Sequence, residues 1–581
     1  MDSEKRTTQA EQREKGREAI LKDRTMELPR TQWAVQLTGP DQLRLNKEKA
    51  VFRPGPTQLV ARVEAVGLCF SDLKLLKQFA GHARKSEVVG GIGAEVLAEN
   101  PSYVPGDKAT VPGHEVVARI VAVGKEVRHH RLGERVMVQA DWRFLKTAQS
   151  NGSFGYDFEG GLQEYVLLDE RIVIEPGTGE RYLLAVGEKC GASALALVEP
   201  WACVEHSYVS RERRAIKAGG ELLVVVEEGC EVRGLKGSLG AEGKPTSVTV
   251  VGGKGSRTRE CGELGANVLE AGEVAGLAER GFDDIVYFGA QAERVEELGE
   301  KLAVGGVFNM VQCGGRFGRG VSIDVGRVHY GGTRWCGTTG GDASESYRGI
   351  PENGETRDGE RMLVVGAGGP MGQMHVVRCL CSGARGVTLV ASDVDTPRLE
   401  GLGAKVRGLA ERQRVKLTLA NAKETSWGEE FTYIVLMAPI AGLVTQAVGQ
   451  SREGGRINIF AGIPAGTRAT LDLDGYVAKR LWMFGTSGST IGDMKLVLAK
   501  VESGELDTNY SVGAVSGMTG AIDGIRATEN RTVGGKIIVY PGLHEMGLVR
   551  MEELGGRYPS VGAKLREGTW TKEAEEEMMK K

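Results

Sequence analysis

Arg361-Met-Leu-Val-Val-Gly366-Ala-Gly368-Gly369-Pro370-Met371-Gly372-Gln373 is the stretch whose reading decides the fold. Its β-branched run reads as a strand, its glycines as a tight turn, and the residues beyond as a helix. Glycine adopts positive φ freely, and its bare N–H can approach a pyrophosphate at a helix N-terminus. About twenty residues on, the spacing of a nucleotide-binding fold, Val387-Thr-Leu-Val-Ala-Ser-Asp393 reads as a second strand ending in a carboxylate. An acid there accepts hydrogen bonds from the adenosine ribose of NAD and would repel the 2′-phosphate of NADP. Two registers fit the glycines. Gly366-x-Gly368 leaves Met371 in the third glycine slot, whereas Ala367-x-Gly369-x-x-Gly372 restores that slot with alanine in the first. NAD is therefore the expected cofactor, with Gly366, Gly368, Gly369, Pro370, Met371, Gly372 and Asp393 around it.

At 581 residues the chain exceeds one core, since single cores stop growing near ~250–300 residues. With 41% hydrophobic and 26% charged residues it has the balance of a globular protein, and a net charge of −3 gives no reason to expect nucleic acid or an anionic membrane as partner. The nine cysteines form no CxxC pair, which suits reduced thiols in a cytoplasmic protein. The N-terminus is charged throughout and lacks the apolar core of a signal peptide. No apolar run approaches the ~20 residues that would cross a bilayer.

In chain order, residues 1–30 read as a charged tail. Residues 31–217 read mostly as β, in short alternating runs such as Val116-Val-Ala-Arg-Ile-Val-Ala-Val123 divided by Gly and Pro. From about Ala218 strands and helices alternate, and the sequence repeats itself. Phe282-Asp-Asp-Ile-Val-Tyr-Phe288 reads against Phe431-Thr-Tyr-Ile-Val-Leu-Met437, and Gly305-Gly-Val-Phe-Asn309 against Gly454-Gly-Arg-Ile-Asn458, at an offset of 149. Two nucleotide-type folds in tandem are expected, 218–345 and 346–500, followed by a return to the β domain over 501–545 and a helical tail over 546–581. The copies differ at the turn. Opposite Gly366 to Gly372 the first carries Val226-Glu227-Glu228-Gly-Cys-Glu231-Val232, and opposite Asp393 it carries Lys254. Carboxylates at a pyrophosphate cradle repel the ligand, so the first copy is expected to bind no nicotinamide cofactor. Gly340 to Arg357 reads as a polar linker, His129-His130 as a solvated turn, and the charge of the Trp570-Thr-Lys-Glu-Ala-Glu-Glu-Glu tail as a solvated face.

Three motifs in the β region can carry chemistry: Gly67-Leu-Cys69-Phe-Ser71-Asp72, Gly113-His114-Glu115 and Glu199-Pro200. In this order, ahead of a nucleotide fold, they resemble the zinc-dependent medium-chain dehydrogenases. The likeness is to the sorbitol, sugar-phosphate and threonine dehydrogenase branch, and the glycine loop and tail are similar to sorbose-phosphate reductase-like members. The resemblance implies an α/β plus β architecture, with a GroES-like β-barrel catalytic domain beside two tandem Rossmann-type doubly wound domains, the first degenerate. It implies catalytic Zn2+ on Cys69 and His114, with either Glu115 or Glu199 as third protein ligand, and Ser71 as the hydroxyl that relays the substrate proton. Mixed S, N and O ligands leave a tetrahedral position open. Lys74 stands where many members carry a histidine, and Ala118 where a glycine is common. The stretch 73–180 has no cysteine, so no structural zinc is expected. In its place a loop holds Tyr156 and Glu159, candidates for lining a polyol pocket but more readily an ordinary loop. The expected function is hydride transfer between NAD(H) and a secondary alcohol or ketone of a polyol, sugar or sugar phosphate. A homo-oligomer is expected, with the first copy covering the last-strand edge of the second, within the chain or across a dimer. The competing class is a non-catalytic NAD(H)-binding protein with a decayed zinc site, whose duplicated fold is an interaction platform.

Overall fold

The computed structural model describes residues 26–253 and 258–581. Most of the charged N-terminal tail, and Lys254, lie outside the described residues. The chain forms two compact units. Of the described residues, one unit holds 26–202 together with Thr490–Lys581, and the other holds those between Cys203 and Ser489. The breaks thus fall inside the expected 31–217 and 346–500 segments.

The first unit is built on an eight-stranded sheet. Its path runs Leu183–Ala185, Arg135–Val138, Glu115–Val123, Gln58–Gly67, Lys536–Val539, Val512–Ser516 and Val549–Arg550, with Tyr165–Asp169 also paired to Gln58–Gly67. Gln58–Gly67 is central, so nearly all of Gln58-Leu-Val-Ala-Arg-Val-Glu-Ala-Val-Gly67 is buried on both faces, a setting that suits small and β-branched residues. Its antiparallel register sets Gly67 against Glu115 and Val66 against Val116. Residues just beyond the end of one strand therefore meet those just before the start of the other. A separate sheet of Val88–Gly90, Asp141–Thr147 and Asn151–Ser153 packs Trp142, Phe154 and Phe158 into the same core.

The second unit holds one sheet of twelve strands: β1 Glu221–Val226, β2 Ser247–Val251, β3 Asn267–Ala271, β4 Phe282–Phe288, β5 Leu302–Val311, β6 Arg334–Thr338, β7 Arg361–Val365, β8 Thr388–Asp393, β9 Lys416–Asn421, β10 Phe431–Leu436, β11 Ser451–Ile459 and β12 Trp482–Phe484. Their spatial order is 3-2-1-4-5-6-12-11-10-7-8-9. Each half, counted from its own first strand, has the order 3-2-1-4-5-6 of a doubly wound nucleotide fold. The halves meet sixth strand to sixth strand, antiparallel, with Trp335 opposite Met483. A second antiparallel pair, Val321–Asp324 with Arg468–Leu471, ties the halves again. Tyr476 closes the seam: its hydroxyl donates to the Trp335 carbonyl at 2.8 Å and accepts the Met483 N–H at 2.9 Å.

Only the second half follows its first strand with a helix. Pro370–Leu380 succeeds β7, whereas β1 is followed by turns and the three-residue 3₁₀ segment Lys236–Ser238. Glu227 lies just past β1, accepting from the Tyr287 hydroxyl at 3.3 Å and Gln291 Nε2 at 3.1 Å and pairing with Arg294 at 3.3 Å.

Three sequence expectations are corrected. The supposed linker contains the helix Ala343–Gly349, whose Tyr347 is buried and donates to Asp284 at 2.9 Å. Asp284 also pairs with Arg213 at 2.7 Å, so this segment completes a buried polar network. His130 is buried and bonded to Glu170 at 2.8 Å instead of lying in a solvated turn. In the tail, Trp570 and Glu575 are buried. Glu575 accepts the N–H groups of Ala192 and Ser193 at the start of the helix Ala192–Ala196, and the Tyr540 hydroxyl at 2.9 Å. Among the described residues no helix is long and apolar enough to cross a membrane.

Tyr476→Phe strands two buried backbone groups at the seam. Urea unfolding should show a loss of about 1–3 kcal/mol; an unchanged midpoint would mean that the seam contributes little.

Candidate active site

The sheet register assembles the first cluster. Gln58–Gly67 ends two residues before Cys69, which caps the helix Phe70–Gln78, and His114 directly precedes the strand Glu115–Val123. With Gly67 opposite Glu115, the ligand atoms of Cys69, His114 and Glu115 lie within 4.8 Å of one another. Gly67 has to be a glycine here, because a Cβ would sit 2.1 Å from Glu115 Oε2.

Asp72 organises the cluster from behind. Its Oδ2 accepts the Cys69 N–H at 3.1 Å, and its Oδ1 lies 2.9 Å from His114 Nδ1. A carboxylate on Nδ1 fixes ring and tautomer and presents Nε2 to a metal. Burial opposes charge on His114, but the Asp72 carboxylate outweighs it and holds the pKa well above the ordinary value. A metal at Nε2 would therefore have to displace a proton. Ser71 Oγ lies 3.1 Å from Cys69 Sγ and 3.4 Å from His114 Nε2.

Glu115 is fully buried, and Lys536 Nζ donates to its Oε1 and to the Leu68 carbonyl at 2.9 Å. Burial pushes the Lys536 pKa down, yet the Glu115 charge more than offsets this and leaves it raised. Glu115 Oε2 has no hydrogen-bond partner. An orphaned buried carboxylate oxygen is expensive unless something else takes its lone pairs. Beside a thiol and an oriented imidazole, a metal ion fits, and the S, N, O set suits zinc.

Glu199 lies in the helix Val198–Val209, outside the ligand trio. Burial pushes its carboxyl up to about 7; the His114 charge opposes this and the Glu115 charge adds to it. Tyr156 is buried, with its ring 5.7 Å from that of His114 and 5.1 Å from that of His82, and it hydrogen-bonds Ser71. Glu159 instead forms an internal ion pair with Lys49 at 2.8 Å. Sequence reasoning gave no role to Asp72 or Lys536. The first had a signal, an acid in the first turn of a helix capped by a candidate ligand; the second, a lysine opening an apolar strand, had none.

The second cluster is the glycine turn of β7. Gly366 takes φ +86, and the N–H groups of Gly366 and Ala367 donate to the Ser392 carbonyl at 2.8 and 2.9 Å. Gly369 caps the helix and Pro370 opens it, a favoured first-turn position. A Cβ on Gly372 would lie 2.2 Å from the Gly366 carbonyl oxygen. The third glycine of the turn, where helix packs on strand, is thus Gly372, and Met371 is the residue before it. Asp393, ending β8, accepts the Gly368 N–H at 2.7 Å and the Asp395 N–H at 3.0 Å, which fixes the carboxylate beside the turn.

Residues 55–177 match the alcohol dehydrogenase GroES-like domain. The chain is 29% identical over 128 residues to alcohol dehydrogenase notN of Aspergillus sp. (strain MF297-2), covering 20% of this chain and 30% of that one. Over 157 residues it is 26% identical to the uncharacterized zinc-type alcohol dehydrogenase-like protein YphC of Escherichia coli, covering 25% and 40%. Over 258 residues it is 27% identical to the (R,R)-butanediol dehydrogenase of Bacillus subtilis, covering 40% and 62%. The chain thus spans between 30% and 62% of the length of these relatives. These matches are to alcohol dehydrogenases and related proteins, each over part of the chain.

Asp72→Asn keeps the size of the side chain and removes the charge behind His114. Zinc affinity, read by competition with a chromophoric chelator, should fall by about 10–100-fold. Unchanged affinity would remove Asp72 from the site.

Proposed function

We propose that the chain is a cytoplasmic zinc- and NAD-dependent oxidoreductase, moving a hydride between NAD(H) and a secondary alcohol or ketone of a polyol, sugar or sugar phosphate. The observation that carries this reading is the Cys69, His114 and Glu115 trio, its imidazole and carboxylate buried and its thiol half-buried, with ligand atoms within 4.8 Å and an orphaned carboxylate oxygen. Three such donors leave one tetrahedral position for substrate. When bound, zinc supplies Lewis acidity toward an alcohol oxygen and NAD supplies the hydride acceptor.

The chain's own residues do the rest. Asp72 holds the His114 ring, and Lys536 holds one oxygen of Glu115 so that the other is left to the metal. Ser71 Oγ, beside both Cys69 and His114, would relay the substrate's hydroxyl proton, accepting it while passing its own toward Tyr156, its next hydrogen-bond partner. Glu115 is the third ligand in this reading, with Glu199 the neighbouring carboxylate. The glycine turn and the helix Pro370–Leu380 receive the pyrophosphate, and Asp393 receives the adenosine ribose.

The first half of the twelve-stranded sheet is read as a degenerate copy. It has carboxylates after its first strand and no α-helix following that strand, and it covers the sixth-strand edge of the second half within the chain. Any homo-oligomer then forms through another surface.

Hydride transfer to NAD, assayed over a panel of polyols and sugar phosphates on zinc-loaded protein, tests the reading. At least one secondary alcohol should be oxidised, with NAD preferred to NADP. Asp393→Ser should weaken NADH about tenfold, the loss expected of charged hydrogen bonds. No NADH binding, or no oxidation of any member of the panel, would sink it.

A further inference from the structure

At the amino ends of the strands of the second half lies a cavity of about 440 Å³, lined by Arg357, Glu453, Arg456, Arg480 and Trp482 among others. It is remote in kind from the glycine turn, because Arg357 precedes β7 while Gly366 follows it. Arg456 and Trp482 form its floor. They face each other in register on β11 and β12 and are 1% and 3% exposed. The Arg456 guanidinium donates to the Glu355 carbonyl at 2.7 Å and to Glu360, yet its Nε–H, like the Trp482 Nε1–H, has no acceptor. Arg480 pairs with Glu453 at the rim. The Arg357 guanidinium has no ion-pair or hydrogen-bond partner among the described residues. Burial pushes its pKa down, and the nearby charge of Arg456 pushes it further. Three guanidiniums thus meet two carboxylates, Glu453 and Glu360, which leaves the pocket positive.

The first half of the same sheet serves as an internal control. Gly305 N–H bonds the Gly331 carbonyl at 2.7 Å, as Gly454 N–H bonds that of Lys479 at 2.7 Å. Gly332 is therefore the counterpart of Arg480, and Val307 that of Arg456. Gly332 has φ +61, which costs glycine nothing, while Arg480 holds φ +52, a left-handed conformation unfavourable for a side chain. The second half has placed a guanidinium where the local backbone favours glycine, and another where its twin carries valine.

We propose that this pocket binds a small phosphate-bearing ligand, gripped by Arg357 and Arg480 at the mouth over the Arg456 and Trp482 floor. Guanidinium forks match phosphate oxygens in pairs. The site is separate from the metal and cofactor sites, so it stands or falls independently of them.

The test follows the Trp482 indole N–H resonance of the full chain, assigned by its loss in Trp482→Phe, during titration with inorganic phosphate at constant ionic strength. A saturable shift is expected, weakened at least tenfold in Arg357→Gln and in Arg480→Gly. The second variant relieves the left-handed φ and so does not endanger the fold. No saturable shift, or one retained in both variants, would overturn the proposal.

Discussion

The register of Gln58–Gly67 against Glu115–Val123 is the constraint on which the first unit depends. Because Gly67 faces Glu115, the thiol two residues beyond one strand and the imidazole one residue before the other meet without any long loop being ordered for the purpose. A slip of one residue would turn each of these side chains to the opposite face of the sheet. The register is held by buried residues along nearly the whole of Gln58–Gly67 and by pairing on both edges of that strand. Close approach adds specificity: Glu115 Oε2 fills the space that a Cβ on Gly67 would need. The trio is thus a property of a buried strand pair at the centre of its sheet, which is where precise donor placement is least costly to maintain.

In the second unit two halves of the same strand order meet edge to edge. A doubly wound half leaves its sixth strand with unpaired backbone groups, a template for another chain. Here β6 and β12 meet at the single antiparallel pair Trp335 and Met483, and Tyr476 ties the seam by bonding both. Once one half supplies the edge, its turn is free to diverge. Glu227, just past β1, bonds Tyr287 and Gln291 and pairs with Arg294, and no α-helix follows that strand before β2. The second half has the glycine turn at one end of its strands and guanidiniums at the other.

What could be read from sequence was what is local. The turn at Gly366 to Gly372 is a contiguous run in which backbone conformation, helix start and close packing all demand particular residue types. The internal repeat was visible because apolar strands and glycine pairs recur at a fixed offset. Cys69, His114 and Glu115 stood out through short motifs. What could not be read depends on contacts distant in sequence. Lys536 reaches Glu115 across 421 positions, and nothing in Lys536-Ile-Ile-Val marks it as a partner. Glu575 looked like one charge among many in a solvated helix until its two oxygens met the N-terminus of Ala192–Ala196. Tyr347 looked like linker because a single buried aromatic carries no periodicity. His130 reads as a solvated turn because its partner, Glu170, is forty residues away.

Zinc-edge X-ray absorption on the full chain, together with elemental analysis of wild type and Cys69→Ala, tests the central claim most directly. One zinc per chain, with a single sulfur and the remaining ligands nitrogen or oxygen, and loss of the metal in Cys69→Ala, is the result expected of the Cys69, His114 and Glu115 site. A chain that takes up no zinc, or a zinc held by several sulfurs or retained in Cys69→Ala, would contradict it.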